Sequence, residues 1–441
     1  MPDTMLERDR TLQARGEVRR IAILSHAHPS ISKGGAEVAA YTLYNGLRAI
    51  GVDAAFIAAC PIEQADRVEL ATVNEVVVPF DGRNYDHYYH LAAPDVSARV
   101  TSAVTGFAPD AVVANHFFNI GINSVRTLID RGTARVGVVL HEFLAICHHH
   151  GQMVKRPTRV LCERSSPSGC AACFPEASVG RFIMRRRNFL DTLSRAHAVI
   201  SPSRFLAGRF AEWGLDERRL QVIENGLAET PVGWRERAVK PEGEPWVFGY
   251  FGQINPFKGV ELLLRAAEQI AQDKALASRI RIRIHGNLVG NTPEFEERFA
   301  KMVRTLPFLE YAGAYSNEQV DALMRRCDYA VMTSVWWENS PLVIQEAYAA
   351  GLPVICGDIG GMAEKVHNGL TGLHYRAGDH AALLRAMVAA ADPVRHEALC
   401  GGLPATVTAE DMARAYVEAL STEPEPAAGR AAPLRWDAAA S

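Results

Sequence analysis

Residues 329–364 read Y-A-V-M-T-S-V-W-W-E-N-S-P-L-V-I-Q-E-A-Y-A-A-G-L-P-V-I-C-G-D-I-G-G-M-A-E. The run from Tyr329 to Thr333 is short, apolar and bounded, as a strand buried on both faces is. Ser340 offers a side-chain oxygen to a helix start. Pro341 suits the first helical position, where its missing N–H is no loss. A helix through Glu346 to Ala350 is stopped by Gly351, and Pro353–Cys356 reads as the next strand. Strand, helix, strand at this spacing is a parallel unit, and ligands of such sheets lie beyond the carboxyl ends of the strands. The free N–H groups of Leu342 and Val343 make an anion site reinforced by the helix dipole. Glu338 stands just before that helix. Glu346 sits on its second turn with its side chain directed back toward the N-terminus. Carboxylates so placed accept hydrogen bonds from sugar and ribose hydroxyls. The competing reading is an N-capping Glu338 and a solvated Glu346.

The same alternation extends in both directions. In the first half the strands read as Arg20–Ser25, Ala54–Ala59, Glu75–Val78, Ala111–Ala114, Val136–His141, Ala198–Ser201 and Gln221–Ile223. The second half adds Trp246–Phe251, Ile280–His285 and Phe308–Ala312 ahead of Tyr329. A chain of 441 residues exceeds one ordinary hydrophobic core, so two α/β domains are expected. The expected boundaries are a tail over 1–18, a first domain over 19–230, a Pro/Gly-bearing linker over 231–244 and a second domain over 245–405. A helix at 406–421 follows and is able to pack back across the first domain, and a Pro/Ala-rich tail occupies 422–441. Apolar residues make up 48% of the chain and the formal net charge is −3, which gives no case for a nucleic-acid partner. No apolar run approaches the ~20 residues of a membrane span. The charged N-terminus lacks the apolar core of a signal peptide. A cytoplasmic location with reduced thiols is therefore expected.

With the strand ends assigned, W-W-E-N-S-P-L-V-I-Q-E, then A-G-L-P-V-I and G-G-M-A-E, resemble the donor segment of retaining glycosyltransferase family 4. That family has the GT-B fold, two Rossmann-like domains facing a cleft. The resemblance implies that Glu338 touches the donor sugar, beside Asn339, and that Glu346 touches the ribose. Gly360 and Gly361 would shape a tight loop that Glu364 braces. Upstream, F-G-Y-F-G-Q-I-N-P-F-K-G (248–259) resembles the family's diphosphate-gripping loop. There Lys258 supplies a point charge, and Gly252 and Gly259 allow close backbone approach. Gln253 stands where many members carry Arg. His285 and Gly313, at the next two strand ends, resemble residues lining the nucleobase pocket. No Asp-x-Asp occurs in the chain, so the leaving diphosphate falls to Lys258 and backbone dipoles, without a catalytic metal.

In the first half, Lys33-Gly34-Gly35-Ala36-Glu37 resembles the family's Gly-Gly-Ala-Glu loop, which reaches the donor phosphate. It is not a dinucleotide G-x-G-x-x-G. His141-Glu142 resembles the family's His-Asp motif, which implies that His141 orients hydroxyls in the cleft. An insertion over 144–178 carries Cys147, Cys162, Cys170 and Cys173. A structural zinc there would order a long loop, and reduced thiols are the alternative. Arg181 to Arg187, with Phe182, Ile183 and Met184, form a basic-apolar patch. It reads as a solvated helix face or as a peripheral contact with the inner membrane face or a lipid-diphosphate acceptor. The resemblance implies a retaining hexosyltransferase acting from a nucleotide-sugar onto a glycan or lipid-linked precursor. A nucleotide-sugar epimerase of the same fold and an inactive sugar-nucleotide-binding module are its rivals. The intact set of Glu338, Glu346, Lys258 and His141 argues against inactivity.

Overall fold

Nearly continuous apolar runs form strands that helices cover on both faces, the arrangement that parallel sheets require. The computed structural model describes residues 18–32, 34–228, 240–241 and 243–424. The first sheet contains β1 (Arg20–Ser25), β2 (Asp53–Pro61), β3 (Glu75–Phe80), β4 (Ala111–Ala114), β5 (Arg135–Val139), β6 (Ala198–Ser201) and β7 (Leu220–Val222). Its order is β3-β2-β1-β4-β5-β6-β7 and every pairing is parallel. The second contains β8 (Trp246–Phe251), β9 (Ile280–His285), β10 (Leu309–Gly313), β11 (Tyr329–Met332), β12 (Val354–Gly357) and β13 (Gly372–Tyr375). Its order is β10-β9-β8-β11-β12-β13, again all parallel.

Strand order reverses between β1 and β4 in one sheet and between β8 and β11 in the other. Those are the crevices in which open sheets hold ligands. Each sheet carries a core on both faces: Val112, Val138 and Phe189 share one core of the first domain, Ile21, Phe56 and Ile200 the other. Most expected strands are present within two residues of the reading. Strand β13 is new. Its G-L-H-Y sequence is too short and mixed to announce a strand, and pairing with Val354–Gly357 of β12 creates it.

The helix Ala409–Ser421 does cross back onto the first domain. Met412, Ala413, Tyr416 and Leu420 enter the core that holds Ile21, Leu43 and Phe56. Burying each of the three large side chains stabilises this return by about 1.5–3 kcal/mol. Thr408 and Asp411 cap its start reciprocally, as a capping box does. A Cβ on Gly46 would lie 2.2 Å from the Ala409 carbonyl oxygen, so the facing helix must have glycine there. The expected linker 231–244 and the tails 1–18 and 422–441 fall mostly outside the described residues. Among the described residues no helix is long and apolar enough to cross a membrane.

Candidate functional site

The carboxyl ends of β8 and β11 build one wall. Beyond β8, Gly252 has φ +144°, a conformation glycine tolerates best. Its carbonyl oxygen lies 1.8 Å from where a Cβ on Gly286 would be, so the β8 and β9 exits pack backbone to backbone. Asn255 caps the next turn through Oδ1, which accepts from the N–H of Phe257 and Lys258 at 3.0 Å each. That turn delivers Lys258 across to the β11 exit, where Nζ donates to Glu338 Oε1 at 2.7 Å. The same oxygen accepts from Ser334 Oγ at 2.7 Å and Trp336 Nε1 at 2.8 Å. Burial works to raise the Glu338 pKa, but Lys258 and these donors outweigh it and hold it below the usual value. Glu338 is therefore a buried anion with three donors on one oxygen.

The helix behind it starts one residue later than expected, over Leu342–Ala349, with Pro341 as the extended N-cap. Ser340 does not cap it. Its hydroxyl instead donates to Glu224 Oε1, at 2.7 Å, in the segment leaving the first domain. Leu342 and Val343 still occupy the first turn. Glu346 lies half-buried in the second turn with no side-chain hydrogen bond among the described residues, and burial pushes its carboxyl up to about 7. Two glutamates of one segment thus differ sharply: Glu338 is satisfied within the protein and Glu346 is not.

Glycines close this wall. Gly361 N–H donates to the Glu338 carbonyl at 2.7 Å, and a Cβ on Gly361 would lie 1.6 Å from Asn339 O. Glu364 does not brace that loop. Its carboxylate accepts from the N–H of Arg204 and Phe205, at 2.9 and 2.6 Å, capping a helix of the first domain. His285 is buried against Phe251, the rings stacked at 4.7 Å, with Tyr315 edge-on. Its Nε2 is buried without a partner, and burial lowers its pKa. Gly313, φ +79°, ends β10 beside it. Gln253 is exposed, and its side-chain oxygen accepts from Asn255 Nδ2 at 3.4 Å.

The opposite wall comes from β1, β4 and β5. Gly34 and Gly35 begin the helix Gly35–Ala49, while Lys33 lies outside the described residues. Glu37 turns inward to His26, with Nε2 and Oε1 3.3 Å apart. Against the effect of burial, His26 and Ser32 bring its pKa down to about 2. His26 lies 4.6 Å, centroid to centroid, from His116, which stacks at 6.5 Å on His141. The row His26, His116, His141 follows the adjacent strands β1, β4 and β5. The sequence reading assigned only His141. The missed signal was positional, because His26 and His116 lie one and two residues beyond the strands that flank the reversal in strand order.

Each imidazole here is held by its own partners. His116 Nδ1 accepts from the Phe118 N–H at 2.9 Å, and its Nε2 faces Glu142 Oε1 at 3.3 Å. His141 Nε2 meets Asn115 Oδ1 at 3.1 Å. Burial lowers the His141 pKa to about 3, so the ring is neutral near pH 7 and fits hydrogen bonding better than proton abstraction. Burial raises the Glu142 carboxyl to about 8. Gly151, φ +69°, packs on it, since a Cβ there would come within 1.9 Å of Oε2. Asn339 joins the walls by donating from Nδ2 to the His141 carbonyl at 2.6 Å.

The insertion follows the reduced-thiol alternative. Cys170 Sγ lies 3.2 Å from Ser165 Oγ, and Cys162 Sγ donates to Arg164 O at 3.4 Å. All four of its cysteines are free thiols. Among the described residues no three His, Cys, Asp or Glu side chains form a group able to hold a metal. The organising group is Arg185, which is 2% exposed. Its guanidinium donates to the carbonyls of Tyr88, Ala145 and Leu144. Burial lowers its pKa to about 10, which leaves it charged at neutral pH. Arg186 donates to Trp213 O, and Arg181 lies over the Tyr88 ring at 4.1 Å. Arg185 and Arg186 are thus engaged inside the first domain, while Arg181, Met184 and Arg187 remain exposed on the helix face.

Known proteins match along this same two-wall plan. The model of the family "Glycosyl transferase 4-like domain" matches residues 34–226, and that of "Glycosyl transferases group 1" matches residues 234–391. A D-inositol 3-phosphate glycosyltransferase of a Nocardioides species is 25% identical over 397 residues, covering 83% of this chain and 81% of that one. A Salmonella typhimurium lipopolysaccharide 1,2-N-acetylglucosaminetransferase is 30% identical over 188 residues, 40% of this chain and 48% of its own. Among solved structures, Anabaena HepE in complex with UDP and glucose aligns with TM-score 0.62 and 19% identity, over 91% of this chain and 99% of that chain. Sucrose-phosphate synthase from Thermosynechococcus elongatus aligns with TM-score 0.65 and 17% identity, over 91% and 96%. One family model falls on each wall of the cleft, and the chain belongs to the group 1, family-4-like glycosyltransferases of GT-B fold.

Proposed function

We propose that the protein transfers a hexosyl group from a nucleotide-sugar to a hydroxyl of a glycan or lipid-linked glycan precursor. Transfer proceeds with retention at the anomeric carbon and without a catalytic metal. The observation that carries this reading is the contrast at the Leu342–Ala349 helix. Glu338 is a preorganised anion tied to Lys258, while Glu346 is a desolvated carboxyl with no hydrogen-bond partner among the described residues. Ribose hydroxyls would supply the donors that Glu346 lacks. Lys258 Nζ keeps further N–H donors for the departing diphosphate, whose charge grows as the glycosidic bond breaks. The acceptor proton passes to that departing phosphate, since the neutral His141 is too weak a base near pH 7. The relatives' ligands support a uridine diphosphate donor, because HepE is solved with UDP, with UDP and glucose, and with UDP-glucose.

The test is a thermal-shift screen of UDP- and GDP-sugars, followed by NMR of the product formed with the donor that binds. A ligand at 100 times its Kd stabilises by ~2.7 kcal/mol, which such a screen detects. An α-linked donor should give an α-linked product at an undiminished rate in EDTA. Free epimerised sugar, an inverted linkage or loss of activity in EDTA would each overturn a named part of the proposal.

A further inference from the structure

Resting on the function proposed above, we infer that Asn115 is a positioning residue: it fixes the tautomer of His141, so that the unprotonated Nδ1 faces substrate as a hydrogen-bond acceptor. Asn115 follows β4 directly and is 1% exposed. Its Nδ2 donates to the Ala36 carbonyl at 3.0 Å. A carbonyl oxygen can only accept, so this bond settles which way the amide points. Oδ1 then faces His141 Nε2 at 3.1 Å. An amide oxygen likewise can only accept, so the proton of the neutral ring must sit on Nε2. Nδ1 keeps its lone pair, and no described residue donates to it.

The surroundings hold this state. The groups facing His141 are His116, stacked on it, then His26 and Glu37 beyond. His116 is kept neutral by burial. Its Nδ1 accepts from a backbone N–H, which places its own proton on Nε2 toward Glu142. No neighbour therefore competes with Asn115 for the His141 Nε2 proton. The Ala36 carbonyl belongs to the first turn of the Gly35–Ala49 helix, so one amide couples the Gly34-Gly35 turn to the orientation of His141. A sugar hydroxyl that donates to Nδ1 is turned with its own lone pairs away from the ring. An Nδ1–H tautomer would offer a donor there and reverse that preference.

Two substitutions separate this role from mere support of the Ala36 carbonyl. Asn115→Leu removes both bonds. Asn115→Asp keeps the acceptor toward Nε2 but loses the donor toward Ala36, and its carboxylate also favours the charged ring. Asn115→Leu should lower kcat by about 100-fold while UDP binding, measured by calorimetry, stays unchanged. Asn115→Asp should recover most of kcat at alkaline pH and lose it on acidification, through an ionisation absent from wild type. Nitrogen-15 spectra should show His141 as the Nε2–H tautomer in wild type and a mixture in Asn115→Leu. Equal loss in both variants with flat pH profiles, or an Nδ1–H tautomer in wild type, would overturn the inference. Parallel UDP binding separates this outcome from failure of the functional proposal, since loss of nucleotide binding in wild type would sink that reading alone.

Discussion

The two walls of the cleft are bridged by side chains such as Asn339, which donates to the His141 carbonyl, yet they are built from opposite chemistry. The β8/β11 wall is ionic and glycine-shaped: Lys258 and Glu338 pair beside a helix end, and Gly252, Gly286 and Gly361 bring backbone against backbone. The β1/β4/β5 wall is a row of imidazoles with carboxyls facing them, Glu142 toward His116 and Glu37 toward His26. Where a diphosphate is expected, fixed charge and oriented N–H groups are useful because the leaving group gains charge in the transition state. Where a hydroxyl is expected, a charged group would be solvated or neutralised, whereas a neutral ring of fixed tautomer gives direction at little desolvation cost. The division of labour is thus electrostatic, and it can be broken one side at a time.

The largest effect should come from the ionic wall. Glu338→Ala removes the carboxylate that collects Lys258, Ser334 and Trp336, and should lower turnover about 1,000-fold while UDP affinity falls only a few-fold. Steady-state kinetics beside calorimetry distinguishes the two quantities. Equal loss of binding and rate would mean that Glu338 is a scaffold for the nucleotide rather than part of the reacting end.

Behind the neutral wall, the corresponding weak point is structural. Arg185 satisfies the carbonyls of Leu144 and Ala145, two and three residues beyond Glu142. Arg185→Met fills similar space but strands three buried acceptors, so it should cost about 3 kcal/mol or more of stability. Denaturant unfolding measures this. A stability within error of wild type would show that the insertion holds itself. In either case the variant should leave binding to anionic vesicles unaffected, because the arginine is not at the surface.

The smallest effect belongs to Glu346 and sharpens the contrast with Glu338. Burial pushes its carboxyl up to about 7, and hydroxyls that donate to it favour the anion and lower that pKa on binding. Nucleotide binding then releases a proton, so affinity is full above pH 7 and weakens below it, by at most about tenfold per pH unit. Titrations between pH 6 and 8 should show this in wild type and a flat response in Glu346→Gln. A wild-type affinity independent of pH would place the ribose elsewhere.

Much of this was legible along the chain. Buried strands announce themselves as short β-branched runs, and helix starts and breakers punctuate them, because these patterns depend on local backbone preferences and on burial of whole faces. The alternation therefore determined two parallel-sheet domains, and the Glu338–Glu346 spacing located the ionic wall. What the sequence could not carry was the partner of each polar group. Ser340 was read as a helix cap from its neighbours in sequence, but Glu224 across the domain boundary takes its hydroxyl. The four arginines between Arg181 and Arg187 look like a basic surface, but three distant carbonyls draw Arg185 inside. Four cysteines at suggestive spacing form no three-ligand group among the described residues, and spacing along the chain does not reveal how remote side chains converge. The histidine row had the same limit: His26, His116 and His141 are more than a hundred residues apart end to end, and only the order β1-β4-β5 makes them neighbours. Local propensity is written in adjacent residues, whereas hydrogen-bond partners, burial and the charge states they set are decided only when remote segments meet.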